Sequence, residues 1–487
     1  MSPLEKLYQH LEKVYHFQSI VALLSWDQET YMPLKAYEQR SQQMGLMASL
    51  VHQNKTSELK KILQDINLQE LKDKDFLIVK RVKQDFEKWS KIPEKFAVKL
   101  SELTSQAQYH WDKAKKNNDF PSFAPYLQDL VKLKIEEANY LGYEDCPYDA
   151  LLDDYEKGLK SKDFEKIIQP VVKEFYQKNT PTTTIQNPFH KNISAQEQLQ
   201  FANQLIKDLG FDFTRGRQDL SSHPFSNAIS IHDVRITTRI IESDLSYMLY
   251  STIHETGHAL YELGLNTELL GTPYSETCSL TIHESQSRFW ENNIGRSRAF
   301  CKFLAKKLQE YLPQYYQEVN PEDLFAVLNE VKPSFIRTES DEVTYHLHIA
   351  LRFELEKALI NQEIKVEDLP ALWNEKMKNY LGITPPNDSL GVLQDVHWSA
   401  GLLGYFPTYS LGSFYAAQIY QHLKSIFPHF DDKIEKGDFE FIHQWLKENI
   451  FSKGRLYNSQ EILQQSTGNK LKNHIFRDYI LTKIQFV

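Results

Sequence analysis

Cysteine is scarce in this chain. Cys146, Cys278 and Cys301 are the three found among 487 residues, and none stands in a CxxC pair. An odd, widely spaced set excludes a full disulfide framework and points to a reducing compartment. Long apolar runs are missing as well: no stretch approaches a membrane span. The N-terminus has no basic segment followed by an apolar core, so no export signal is visible and a cytoplasmic location is expected. Nor is positive charge in excess. The 56 basic residues face 65 acidic ones, giving a formal net charge of −9. Clusters such as Lys113-Ala114-Lys115-Lys116 read as solvated helix faces. Without a basic face to meet phosphates, nucleic acid is not an expected partner. Gly/Ser-rich linkers and internal repeats are also lacking. The length alone would accommodate about three domains, but nothing in the composition marks firm boundaries between them.

What is present is helical grammar. Ser2 caps, Pro3 takes the first helical position and Glu5 completes a capping box, after which Leu4, Leu7, Leu11 and Val14 recur at helical spacing. Ser194 and Glu197 repeat the box. Leu199, Ala202, Leu205 and Ile206 then form one face, and Gly210 closes the helix. Charged amphipathic stretches fill 60–118, 120–140, 300–330, 343–362 and 430–450, so the chain reads as mainly α. Lys178 to Asn192, with Pro181 and three threonines at 182–184, reads as a surface loop. One segment differs: Val234-Arg235-Ile236-Thr237-Thr238-Arg239-Ile240 alternates apolar and polar residues with period two. That is a strand signature, and it predicts a small sheet within the helical protein. A strand there is expected to line a cleft and pair with a substrate backbone by edge addition.

The chemistry concentrates in the next element. Leu245 to Leu263 reads as a helix, with Ser243 as cap and Gly264 as terminator. Within it stands His254-Glu255-Thr256-Gly257-His258. Histidines at i and i+4 share one helical face and can bind one metal ion. Glu255 is offset around the helix and can reach a water activated by the metal without being a ligand itself. A third ligand is required. Glu284, in His283-Glu284-Ser285-Gln286, is the candidate if a second helix crosses the first; Glu262, Glu268 and Glu276 compete with it. His283 reads either as a support for a ligand or as a buried polar neighbour.

With these residues in view, the chain resembles the carboxypeptidase Taq family of metallocarboxypeptidases. The likeness is carried by Asp233-Val234-Arg235-Ile236-Thr237, by the His254–His258 motif and by His283-Glu284-Ser285-Gln286. It continues in Ile336-Arg337-Thr338 and in Gly391-Val392-Leu393-Gln394-Asp395-Val396-His397-Trp398. Trp26-Asp27-Gln28 with Met32-Pro33, Tyr148-Asp149-Ala150-Leu151-Leu152 and Gly404-Tyr405-Phe406-Pro407-Thr408-Tyr409 extend it over nearly the whole chain. The Gly-rich turn that often follows Met-Pro in the family is replaced here by Leu34-Lys35-Ala36.

The resemblance implies a single mainly helical catalytic domain over 1–487, zincin-like, with a deep central groove, a small sheet beside the motif helix, and a homodimer. It implies broad-specificity removal of C-terminal residues from peptides with a free C-terminus, using zinc or sometimes cobalt. His254, His258 and Glu284 correspond to the metal ligands and Glu255 to the general base. Arg337 is nominated to hold the substrate's terminal carboxylate, because a guanidinium does so best; Arg235 and Arg239 are the runners-up. Tyr409 is nominated as oxyanion donor, with His397 lining the pocket. Asp233 is expected to orient Arg235 or a ligand histidine. Two rivals stand beside this reading. One is a related helical zinc oligopeptidase or endopeptidase. The other is a non-catalytic groove protein that binds peptides, which Glu255 argues against.

Overall fold

A computed structural model describes residues 1–176, 185–221 and 223–484. The chain forms two compact units, each assembled from separate stretches. The first comprises Met1–Ser90, Ile185–Leu328 and Tyr415–Lys472; the second comprises Lys91–Thr184, Asn329–Phe414 and Asn473–Val487. Helices dominate both, and the first also holds a three-stranded sheet. No helix among the described residues is long and apolar enough to cross a membrane.

In the first unit both expected capping boxes form. Glu5 N–H donates to Ser2 Oγ, the Ser2 N–H returns to Glu5 Oε2, and the helix runs Pro3–Thr30. The Ser194–Glu197 box opens the helix Ala195–Asp208. The stretch 60–118, expected to be helical, is broken. Helices cover Leu59–Gln64 and Asp73–Trp89, and the next, Glu94–Asn117, begins after Pro93 and belongs to the second unit. Proline has no N–H to continue a helix and disfavours helical backbone before it, so the break falls there. The segment 430–450 likewise divides into Phe430–Glu435 and Glu440–Asn449 around Gly437, whose φ is 76°. Of the expected loop Lys178–Asn192, residues 178–184 lie outside the described set.

The sheet has strands β1 (Gly216–Leu220), β2 (Ser226–Ser230) and β3 (Asp233–Thr238), in the order β1-β3-β2. β3 pairs parallel with β1 and antiparallel with β2. The segment read as a cleft-lining edge is therefore the central strand. Its backbone groups are taken on both sides, and edge addition of a substrate to β3 is excluded; the edges belong to β1 and β2. The period-two reading holds over Val234-Arg235-Ile236; Thr237 and Thr238 are both fully buried, and the strand ends before Arg239 and Ile240. Val234 and Ile236 face inward and pack with Ala259 and Leu263 of the helix Leu245–Gly264 and with Ile206 and Phe211. Each of these two β-branched side chains is fully buried and contributes about 2 kcal/mol. On the other face Arg235 lies over the Trp26 ring, 4.6 Å from its centroid.

The second unit is built around the helix Tyr345–Ile360, which is buried on almost every side. Among its apolar residues this helix carries His346, His348, Arg352 and Glu356, all buried. Charged groups at such positions must be matched by partners, since isolated buried charges cost several kcal/mol or more.

Candidate metal centre

The motif helix starts at Asp244, whose carboxylate accepts from the Ser246 N–H at 2.9 Å. Asp244 and not Ser243 is thus the cap, because it sits one residue before the first helical turn and its side chain reaches back over it. The helix Leu280–Arg288 packs against the motif helix. Gly257, between the two histidines, makes this approach feasible. A Cβ there would lie 2.6 Å from both Gln286 O and Ser287 Cα, so the second backbone fits only against glycine.

The close crossing delivers Glu284 to the histidines. Glu284 Oε2 is 3.4 Å from His258 Nε2 and 3.7 Å from His254 Nε2. One ligand atom from each of the three residues lies within 4.8 Å of the others. The far ring nitrogens are held. His254 Nδ1 is 2.8 Å from Glu291 Oε2, and His258 Nδ1 donates to His283 O at 3.0 Å. A carbonyl only accepts, so His258 carries its proton on Nδ1 and turns a lone pair at Nε2 toward Glu284. Two imidazoles oriented from behind and one carboxylate form a donor set that fits a divalent ion such as zinc and leaves further positions open.

The electrostatics agree with that use. Burial alone would raise Glu284, but Arg288 and the two histidines hold it far below the usual carboxylate range. Glu291 is also opposed by burial, yet Arg288 and His254 bring it down to about 2. Burial lowers His258 to about 3, with His283 adding to the effect. For His254 burial works downward, and Glu284 and Glu291 outweigh it, so its net shift is upward. Glu255, next to the first ligand and buried, is pushed up to about 7 by burial; His254 opposes, while Glu284 adds. A carboxyl poised near neutrality is suited to proton transfer.

The competitors for the third ligand are engaged elsewhere. Glu262 pairs with His283 Nε2 at 2.9 Å, Glu268 with Lys74, and Glu276 with Arg455. The backbone carbonyl of His283 accepts from His258 Nδ1, and the two rings stack 4.4 Å apart. Asp233 grips Arg235 through two bonds of 2.8 Å, which settles it as the partner of that arginine.

The second unit gathers its own nominated residues. Arg337 is buried, and its Nε and Nη2 donate to Asp395 Oδ1 at 3.1 and 3.0 Å while Nη1 donates to Tyr345 Oη at 2.9 Å. Asp395 Oδ2 accepts from Arg352 Nε at 2.7 Å, so one carboxylate serves two guanidiniums. Burial alone would raise Asp395; the two arginines hold it far below its ordinary range. The Tyr409 ring lies 4.9 Å from the Arg337 guanidinium, and Tyr409 Oη is 3.0 Å from His397 Nε2. Burial, reinforced by Arg337, pushes His397 down to about 3, which keeps the ring neutral.

The family model for carboxypeptidase Taq (M32) metallopeptidases matches residues 6–484. The chain belongs to the carboxypeptidase Taq family of metallopeptidases. It is 38% identical to carboxypeptidase 1 of Bacillus subtilis, with 98% of this chain and 97% of that protein covered. It is 39% identical to thermostable carboxypeptidase 1 of Pyrococcus furiosus, with 98% and 96% covered. The crystal structure of an M32 carboxypeptidase from Deinococcus radiodurans superposes with a TM-score of 0.91 at 35% identity, covering 99% of this chain and 98% of the other. As a member of the carboxypeptidase Taq family the chain is a metallocarboxypeptidase, a hydrolase of peptide bonds that acts on peptides and works with a divalent metal.

Several groups of the metal centre and of the buried network in the second unit escaped the sequence reading. Glu291 orients His254 from a π-helical turn, Phe289–Ile294, that follows the second helix. Such turns shift the register of a helix, so no i, i+4 rule would find it. Arg288 follows Glu284 at i, i+4, a spacing that pairs opposite charges on one helical face, whereas Arg352 and Glu356 carry no signal beyond a charge in a mostly apolar helix. For Arg352 and Glu356 that signal was legible, because most of the positions around them are apolar.

Proposed function

We propose that the chain removes C-terminal residues from peptides, with broad specificity, through a water whose proton is taken by Glu255. The observation that carries this is the convergence of His254, His258 and Glu284 on one point, with the buried carboxyl of Glu255 beside it. Zinc, with cobalt as a substitute, is the proposed ion; when bound it lowers the pKa of a water and polarises a carbonyl. Glu255 accepts the proton of the attacking water and returns it to the leaving amine. Arg337 is proposed as the anchor for the free carboxylate, and Tyr409 as the donor to the oxyanion, with His397 bonded behind it. Arg235 is proposed as a further substrate contact. The resemblance of sequence supports treating 1–487 as a single catalytic domain working as a homodimer, and the three free cysteines support a reducing compartment such as the cytoplasm.

The test uses one peptide in two forms, free acid and C-terminal amide, incubated with the zinc- or cobalt-loaded protein and followed by mass spectrometry. A ladder of residues lost from the free acid alone is expected, with Glu255→Gln inactive yet retaining its metal. Internal cleavage of both forms would move the chain to the oligopeptidase reading. Loss of metal in Glu255→Gln would make Glu255 structural and sink the proposed proton path.

A further inference from the structure

The two oxygens of Glu284 have different surroundings. Oε2 is the atom turned toward the two histidines, and it also accepts from Ser287 Oγ at 3.0 Å. Oε1 accepts from Arg288 Nε at 2.7 Å. Arg288 lies one turn beyond Glu284 on the same helix, is largely buried, and uses a second nitrogen as well: Nη1 is 3.3 Å from Glu291 Oε2. That oxygen is the one that holds His254 Nδ1. Glu291 Oε1 is braced in turn by Arg296 Nη2 at 3.2 Å. One guanidinium thus joins the carboxylate of a metal donor to the carboxylate that orients another.

We propose that Arg288 is a positioning residue that restricts Glu284 to binding the metal through a single oxygen, Oε2. This rests on the reading of His254, His258 and Glu284 as the metal donors. A carboxylate left alone beside a divalent ion is able to bind with one oxygen or with both. Here a charge-assisted bond of 2.7 Å occupies Oε1, and turning that oxygen to the metal would leave a buried guanidinium short of its partner. Three protein atoms are then committed and the remaining positions stay open for water and the substrate carbonyl, as a catalytic site requires. The geometry needs the planar fork of arginine. A lysine ammonium is a single point and reaches one carboxylate, not both.

Cobalt reports the coordination number directly, because its visible absorption weakens as the number rises. The full-length protein loaded with Co²⁺ is compared with Arg288→Met and Arg288→Lys, with metal content measured by chelator competition and folding by circular dichroism. Released from Arg288, Glu284 closes on the ion with both oxygens, and the molar absorptivity of Arg288→Met is expected to fall at least about two-fold. Arg288→Lys, which keeps one cation near Oε1, is expected to lie between Arg288→Met and the parent, and decides the matter if Arg288→Met does not fold. Metal-loaded variants whose spectra superpose on the parent's would overturn the proposal. A parent protein that takes up no cobalt would instead undo the reading of the three metal donors.

Discussion

His397 and Tyr409 are joined by a 3.0 Å hydrogen bond between Nε2 and Oη. His397 is neutral, held down to about 3 by burial and by Arg337. If Tyr409 serves as an oxyanion donor, Tyr409→Phe removes a bond that strengthens only in the transition state. The expected result is a kcat lower by about 10²-fold with KM little changed. Steady-state kinetics on a free-acid peptide would show it, and a kcat that does not move would return Tyr409 to a packing role.

Asp395 is the shared partner of Arg337 and Arg352; both arginines are buried, and 12% of the Asp395 side chain is exposed. Asp395→Asn keeps the shape and removes the charge, leaving two guanidiniums together with no carboxylate between them. Destabilisation of about 3–5 kcal/mol is expected. Thermal unfolding of the purified variant would reveal it as a clearly lowered midpoint. An unchanged midpoint would mean that another anion balances the pair.

Gly257 stands where the backbone of the second helix passes 2.6 Å from the position of a Cβ. Gly257→Ala must push that helix away and carry Glu284 with it. A stability loss of about 1–3 kcal/mol is expected from the overpacking, together with weaker metal retention. Zinc content after dialysis against a mild chelator, compared with the parent protein, is the deciding measurement. Full retention would show that the crossing yields without moving the carboxylate.

Glu356 accepts bonds from Tyr148 Oη, Trp398 Nε1 and the Gly404 N–H at 2.7–2.9 Å, and the charged group bearing on it is Arg352. Burial raises its pKa from 4.5 to about 7, against the pull of those three bonds and of Arg352. The folded state therefore holds a proton that the unfolded state has already lost. Stability from this group is fully present below about pH 4.5 and is lost as pH rises through 7, by roughly 3 kcal/mol in all. Glu356→Gln cannot ionise. Its midpoint relative to the parent is expected to climb between about pH 5 and 7 and to level off above. A difference that stays flat with pH would show the carboxylate ionised throughout.

Local spacing was enough for much of this protein. The i, i+4 histidines with Glu255 between them, both capping boxes and the alternation in Val234-Arg235-Ile236 are rules acting within one helical turn or one strand, and each appears in the structure as read. Recurrence of the same motifs in order identified the family. Contacts between elements were not available in that way. Spacing alone did not separate Glu284 from Glu262, Glu268 and Glu276; the motif resemblance favoured it, and the structure brings it to the histidines where Gly257 lets two backbones touch, while the other acids have partners of their own. β3 proved central and not an edge, because strand order depends on which segments return beside it and not on its own alternation. Glu291 acquires meaning only around a π turn, and Asp395 only beside two arginines that are both distant from it in the chain. The sequence by itself determined which residues carry the chemistry on a single helix; the tertiary structure decided which distant groups aim, brace and neutralise them, because those relations are set by packing between elements that no local periodicity encodes.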